Sequence, residues 1–151
     1  MGSCMIVCFD LSSEKLDVIE LPYEMLHEGL RRGTTLINYK GNLGILVIHG
    51  HEVVLWVLED AGKHKWSKRI SATLSSLYDE IGNNPYIVGM TSAGEFVLSS
   101  CYQSIPFRIV YYNIERMTLT RVNIQGLEEI KDDPNPTPRI FLDYVENMKL
   151  L

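Results

Sequence analysis

His49, Gly50 and His51 are the first residues whose types and spacing suggest chemistry. Side chains two apart on a strand share a face, so this order lets two imidazoles grip one metal ion. No third ligand lies nearby, and the pair falls where one apolar run ends and the next begins, so it reads as a loop. Glu59-Asp60 offers two carboxylates, but adjacent strand residues point to opposite faces and do not converge. Lys63, Lys65 and Lys68 follow at once, which makes this a solvated turn. Gly89-Met90-Thr91-Ser92-Ala93-Gly94 lacks the Gly-x-Ser-x-Gly spacing of a nucleophile elbow and sits between two apolar runs, as a hairpin turn does. Cys8 and Cys101 lie in apolar runs, where an activated thiolate is not expected and a small buried hydrophobe is. No catalytic, metal-binding or cofactor-binding residue is expected from these patterns, and an enzyme is not the expected reading.

The elements that hold these residues are repeated. An apolar strand ends in a carboxylate or amide, a polar turn follows, and a bulky apolar residue opens a second strand. This phrase runs through Ile6–Asp10 and Leu16–Ile19, then Val54–Asp60 and Trp66–Ile70, then Ile109–Asn113 and Leu119–Ile124. Two tighter phrases alternate with it, Thr35–Ile48 around Lys40-Gly41-Asn42 and Tyr86–Ser99 around Ser92-Ala93-Gly94. Glycine in a short polar turn between apolar runs is a hairpin signal, since it tolerates positive φ. The repeat length is close to fifty residues, as Leu36 and Ile87 show. Four strands in such a period fit a kelch-like propeller blade. Val53 to Leu58 is apolar at every position, as a strand covered on both faces would be. The fold expected is all-β: a kelch-like partial β-propeller of antiparallel hairpins, about two and a half blades, with little helix. A closed propeller has at least about four blades. Exposed sheet edges follow, and with them either a homodimer through those edges or a rearranged sandwich that covers them.

The bulk composition removes several classes. A net charge of −5 argues against a phosphate-backbone binder, which needs a basic face. No apolar run approaches the ~20 residues of a membrane helix, and no secretory leader is recognisable. Three cysteines, Cys4, Cys8 and Cys101, have no metal spacing. The expectation is an intracellular protein of nucleus or cytoplasm, without nucleic acid or membrane partners and without a cofactor.

Helix is expected only in short pieces, around Leu21–Leu26 and within Thr73–Ile81. Residues 131–138, with three prolines and three charges, read as a linker before a C-terminal segment, 139–151. That segment reads as a last strand followed by a short helix, or as either alone.

Several phrases resemble plant F-box-associated domains, closest to their type 3 subgroup. Phe9-Asp10 followed by Lys15-Leu16-Asp17-Val18-Ile19-Glu20-Leu21-Pro22 resembles the family's first hairpin. Leu36-Ile37-Asn38-Tyr39-Lys40-Gly41-Asn42-Leu43 resembles its tight hairpin, and Leu55-Trp56-Val57-Leu58-Glu59-Asp60 with Trp66-Ser67 its central phrase. Tyr144-Val145-Glu146-Asn147-Met148-Lys149-Leu150-Leu151 resembles its closing segment. The resemblance covers nearly the whole chain, so residues 1–151 are expected to be a single F-box-associated domain. Since no F-box precedes Met1, the expectation is a fragment or truncated form.

What the resemblance implies is a protein-interaction module: the substrate-recognition region of an SCF-type ubiquitin ligase. Its partner would be a protein substrate, with the SCF adaptor bound only through an F-box not present here. A non-ligase scaffold from a truncated paralogue is the alternative, and an enzyme on a propeller fold a more distant one. The family has no fixed contact motif, so candidates come from residue type and position. Exposed aromatic and basic side chains on loops are the usual anchors. Tyr23, Arg31, Arg32, His64, Tyr78, Tyr86 and Tyr102 are the residues expected to meet a partner. Trp56 and Trp66 read instead as core, Trp66 being the repeat counterpart of Leu16 and Leu119.

Overall fold

The computed structural model describes residues 4–27, 34–82, 85–101, 106–126 and 140–142. The chain divides into two compact units, Met1–Ala72 and Thr73–Leu151. In the first, β1 (Met5–Asp10) and β2 (Lys15–Glu20) form a hairpin, followed by a short helix, α1 (Tyr23–His27). Then β3 (Thr34–Tyr39), β4 (Asn42–His49), β5 (Glu52–Asp60) and β6 (Lys65–Thr73) make an antiparallel sheet in sequence order. The second unit opens with a 3-10 turn, Leu74–Ser76, and α2 (Tyr78–Ile81). After these, β7 (Tyr86–Met90), β8 (Glu95–Ser99), β9 (Phe107–Asn113) and β10 (Thr118–Ile124) repeat the four-stranded meander. Each complete sheet is therefore one tight hairpin joined to the long-turn hairpin that follows it. β1–β2 is a long-turn hairpin with no tight hairpin paired to it among the described strands, which gives two and a half blades. Residues 131–138, and all of 139–151 except Ile140–Leu142, lie outside the described residues.

The carboxylate or amide that ends each repeated strand has a geometric purpose. Asp10 Oδ1 accepts from the Ser12 N–H at 2.8 Å, and Asp60 Oδ1 from the Lys63 N–H at 3.2 Å. Asn113 Oδ1 accepts from the N–H groups of Glu115 and Arg116, at 3.1 and 3.0 Å. An Asp or Asn side chain that bonds the backbone two or three residues on initiates a turn. Each chain then reverses through a residue at positive φ: Glu14 at 52°, His64 at 50° and Met117 at 51°. This left-handed geometry costs a side-chain-bearing residue roughly 1–2 kcal/mol, and the Asx bond helps to offset it. The tight hairpin of the first unit turns differently, through Lys40 and Gly41 at φ 51° and 88°. Two consecutive positive φ values are what a two-residue hairpin needs to match strand twist.

Within the first unit, Ile45 pairs with Trp56 and Val47 with Val54 across β4 and β5. These four and Met25 of α1 form a buried cluster, against which Ile6, Leu21 and Trp66 pack. Val53 to Leu58 is buried at all six positions, as its unbroken apolar pattern required. In the second unit Val97, Phe107 and Ile109 form the matching cluster, with Val88, Tyr111, Ile124, Ile140 and Leu142 packed on it. Burying each such aliphatic side chain contributes about 1.5–3 kcal/mol. Gly89 leaves room beside Leu142, whose Cδ1 lies 3.2 Å from where a Cβ would stand.

Four positions differ from the sequence reading, and the first is Trp66, which was expected in the core but is half-buried against it. Cys8 and Cys101 are half-buried and not core. Leu16, the repeat counterpart of Trp66, is 69% exposed. The repeat fixes strand phase, whereas burial depends on what lies over the face, and β2's outer face carries no neighbour among the described residues.

Candidate interaction surface

The loops that present exposed side chains are held by the sheets beneath them. In a meander, the turns β3–β4 and β5–β6 lie at one end of the sheet and the turn β4–β5 at the other. His64 therefore shares an end with Lys40, and His49-Gly50-His51 occupies the opposite end. His49 and His51 are both exposed, one ending β4 and the other in the two-residue turn. Among the described residues no group of three His, Cys, Asp or Glu side chains is placed to hold a metal ion. Glu59 and Asp60 diverge: Asp60 holds its own turn and lies 3.7 Å from Lys63 Nζ, while Glu59 meets Ser67 and Arg69.

The residues expected at a partner surface are spread over both units. Tyr23, at the start of α1, is 60% exposed, and Tyr86, opening β7, is 49% exposed. Tyr78 is half-buried at the start of α2. Arg31, Arg32 and Tyr102 lie outside the described residues. α2 is fixed on its own sheet from two sides, since Arg121 Nη1 lies 2.8 Å from Glu80 Oε2 and Arg108 Nη1 donates to the Glu80 carbonyl at 3.4 Å. That arrangement positions Tyr78. His64 is exposed, yet its Nδ1 accepts the Glu20 N–H at 3.3 Å, so it also fastens the hairpin to the sheet.

Sequence reading missed a cluster on the first sheet. The Tyr39 ring has Lys40 Nζ 5.6 Å from its centroid and the Arg69 guanidinium at 5.8 Å. Arg69 also reaches Glu59 at 3.5 Å. An aromatic ring near two cations is a cation–π arrangement of modest strength at an exposed site, about 0.5–1 kcal/mol each. The signal was the Tyr-Lys pair entering the β3–β4 turn; the Arg69 contact comes from β6 and is invisible to spacing. Among the described residues, Asp10 is clearly displaced in acidity. Hydrogen bonds from the Ser13 hydroxyl, then from the Ser12 N–H and hydroxyl, lower it to about 2. Those bonds belong to its turn and imply no catalysis.

What the arrangement can do is present a fixed set of exposed loop side chains; it gathers no reactive constellation among the described residues. No described helix is long and apolar enough to cross a membrane. The model of the F-box associated beta propeller domain matches residues 1–145. Among curated relatives, the Arabidopsis thaliana F-box protein At5g65850 is 41% identical over 162 residues, covering 99% of this chain and 39% of that protein. F-box protein DOR of Arabidopsis thaliana is 40% identical over 157 residues, covering 99% of this chain and 38% of that protein. The chain thus spans about two fifths of the length of these relatives. No solved structure matches it. A domain-wide match, repeated sheets of the kind a propeller needs, and relatives at about 40% identity agree: the chain belongs to the F-box associated beta-propeller domain family.

Proposed function

We infer that this chain recruits a protein target for an SCF-type ubiquitin ligase. The observation that carries the reading is the family match over residues 1–145, together with relatives named as F-box proteins. Its contribution is positioning: rigid sheets hold loop side chains against a target, and ubiquitin transfer is done by other subunits. No covalent step is asked of this chain. Tyr23, Arg31, Arg32, His64, Tyr78, Tyr86 and Tyr102 are the contacts assigned to the target, as exposed or loop-borne aromatic and basic groups of the kind that anchor interfaces. The compartment assigned is the nucleus or cytoplasm.

The test joins the chain to the F-box of a relative and supplies the adaptor and the remaining ligase subunits. A protein captured by the chain alone is expected to become ubiquitinated only when the F-box is attached. Tyr23→Ala and Tyr86→Ala are expected to weaken capture and modification together. Capture without modification would leave a non-ligase scaffold, and modification indifferent to both substitutions would remove these residues from the contact.

A further inference from the structure

The repeat supplies an internal comparison for every surface position. Counting from the Asx residue of each long turn, Glu59 of β5 corresponds to Phe9 and Tyr112, and Arg69 of β6 to Ile19 and Val122. In the tight hairpins, Tyr39 and Lys40 correspond to Met90 and Thr91. The second sheet builds the same meander with no charge at any of these positions. There Tyr112 packs against Phe96, the ring centroids 5.0 Å apart. The charges on the first sheet are therefore not a requirement of the blade.

They are also gathered in one place. Lys40 and Arg69 share the Tyr39 ring, and Arg69 Nη2 lies 3.5 Å from Glu59 Oε1. The same Glu59 oxygen accepts the Ser67 hydroxyl. The Arg69 and Glu59 side chains are 53% and 38% exposed, and an exposed ion pair of this kind is weakly held. Glu59 thus shows what the cluster accepts: a carboxylate, taken by a guanidinium and a hydroxyl. Around it, Lys40, Lys63, Lys65, Lys68 and Arg69 stand in two neighbouring turns and the strand segments beside them. Against them are Glu59, Asp60 and Glu20, whose N–H meets His64, so the local charge is +2 in a chain of −5. The rest of the chain carries −7. Propeller blades stack around a central channel, and their turns stay at the surface. This cluster lies beside the β3–β4 turn, so a completed propeller leaves it accessible.

We propose that this end of the first sheet holds an acidic, extended segment of a target protein, whose Asp and Glu side chains meet Arg69, Lys40 and Lys63 and displace Glu59. The inference rests on the reading of the chain as an interaction module and names the chemistry that module selects. Tyr39 contributes apolar surface at the same place, and Tyr and Arg are the side chains that most often anchor interfaces. Complementary charge selects the partner and speeds its encounter. The cations are set singly along two turns and a strand, which suits a run of carboxylates. A single phosphate group would need donors converging on one point. A nucleic-acid backbone is repelled by the charge on the rest of the chain.

Fluorescence anisotropy of labelled peptides with the full chain tests this. No ligase subunit is present, so failure here and failure of ubiquitin transfer are separate results. A synthetic peptide alternating Glu and Asp with Ser and Gly is expected to bind, and its Gln and Asn counterpart is not. Binding is expected to weaken as salt rises. Arg69→Gln is expected to weaken it roughly tenfold, the loss of one charge-assisted contact. Lys40→Asn, which suits the positive φ of that position, is expected to weaken it less. Glu59→Gln is expected to tighten binding, because it removes the internal competitor; a loosened sheet would not produce that gain, so this variant decides should Arg69→Gln disturb folding. Arg116→Gln makes the same charge change in the β9–β10 turn and is expected to leave affinity unchanged. An acidic peptide bound no tighter than its amide counterpart overturns the proposal. So does an Arg116→Gln loss equal to that of Arg69→Gln, a Glu59→Gln variant that binds more weakly, or a preference for a phosphoserine peptide or a single-stranded oligonucleotide.

Discussion

Trp66 donates its indole N–H to the carbonyl of Glu20 at 2.9 Å, across forty-six positions of sequence. His64 takes the N–H of the same residue, so both backbone groups of Glu20 are held by side chains from the start of β6 and the turn before it. The hairpin is thereby anchored at the end of β2, as well as by Ile6 beneath it. Trp66→Phe keeps the ring and removes the donor. It is expected to cost about 1 kcal/mol, the usual net worth of one hydrogen bond, and to speed amide exchange in β2 more than in β4 or β5. Uniform exchange changes across the unit would sink the idea that this bond anchors the hairpin.

The Asp10 carboxyl should titrate near 2, where an ordinary aspartate stands at 3.8. A folded value below the unfolded one contributes stability above pH 3.8 that is lost as pH falls through about 2. NMR titration of its carboxyl carbon reads this directly. Ser13→Ala is expected to move the midpoint upward, because the Ser13 hydroxyl is the largest cause. A midpoint of 3.8 in the unaltered chain would contradict the turn geometry.

Gly44 is needed for space. A Cβ there would stand 2.9 Å from Cγ1 of Ile37, its direct cross-strand partner and a buried β-branched residue. The stiffness of isoleucine at χ1 leaves little room to yield. Gly44→Ala is expected to cost about 1–3 kcal/mol by overpacking, and the double variant with Ile37→Val to recover part of it. Denaturant midpoints at constant slope measure both; simple additivity would refute the clash.

Trp56 is 3% exposed and its Nε1 has no hydrogen-bond partner among the described residues. Such an orphan donor costs about 1–3 kcal/mol. Trp56→Phe removes that penalty along with some volume, so a net loss below about 1.5 kcal/mol is expected, against about 3–5 for Trp56→Ala. Equal losses from the two substitutions would show that the indole nitrogen is satisfied in solution.

The strands and turns were legible because local chemistry dictates them. Asp10, Asp60 and Asn113 announce their turns, and Val53–Leu58 announces a doubly covered strand. The grouping of hairpins into sheets was not legible, since nothing in Thr35–Ile48 says whether it pairs with the hairpin before or after it. That choice is made by the β4–β5 register, Ile45 against Trp56 and Val47 against Val54. Burial at Leu16 and Cys8 failed for the same reason, because strand phase is local and cover is not. The exposure of Tyr23 and Tyr86 was legible from type and position. His64's tie to Glu20 and the Tyr39–Arg69 contact depend on residues far along the chain and left no trace in spacing.

The three long turns share one backbone path, yet their sequences, Leu-Ser-Ser-Glu, Ala-Gly-Lys-His and Ile-Glu-Arg-Met, have nothing in common. The Asx residue ahead of each turn carries the geometric instruction, and the four residues inside it are released from that duty. Apart from residues with a further bond of their own, such as His64 to Glu20, mutations accumulating there change what the surface displays at little risk to folding. A lineage of such chains is thus free to vary these turns quickly on a scaffold that hardly drifts.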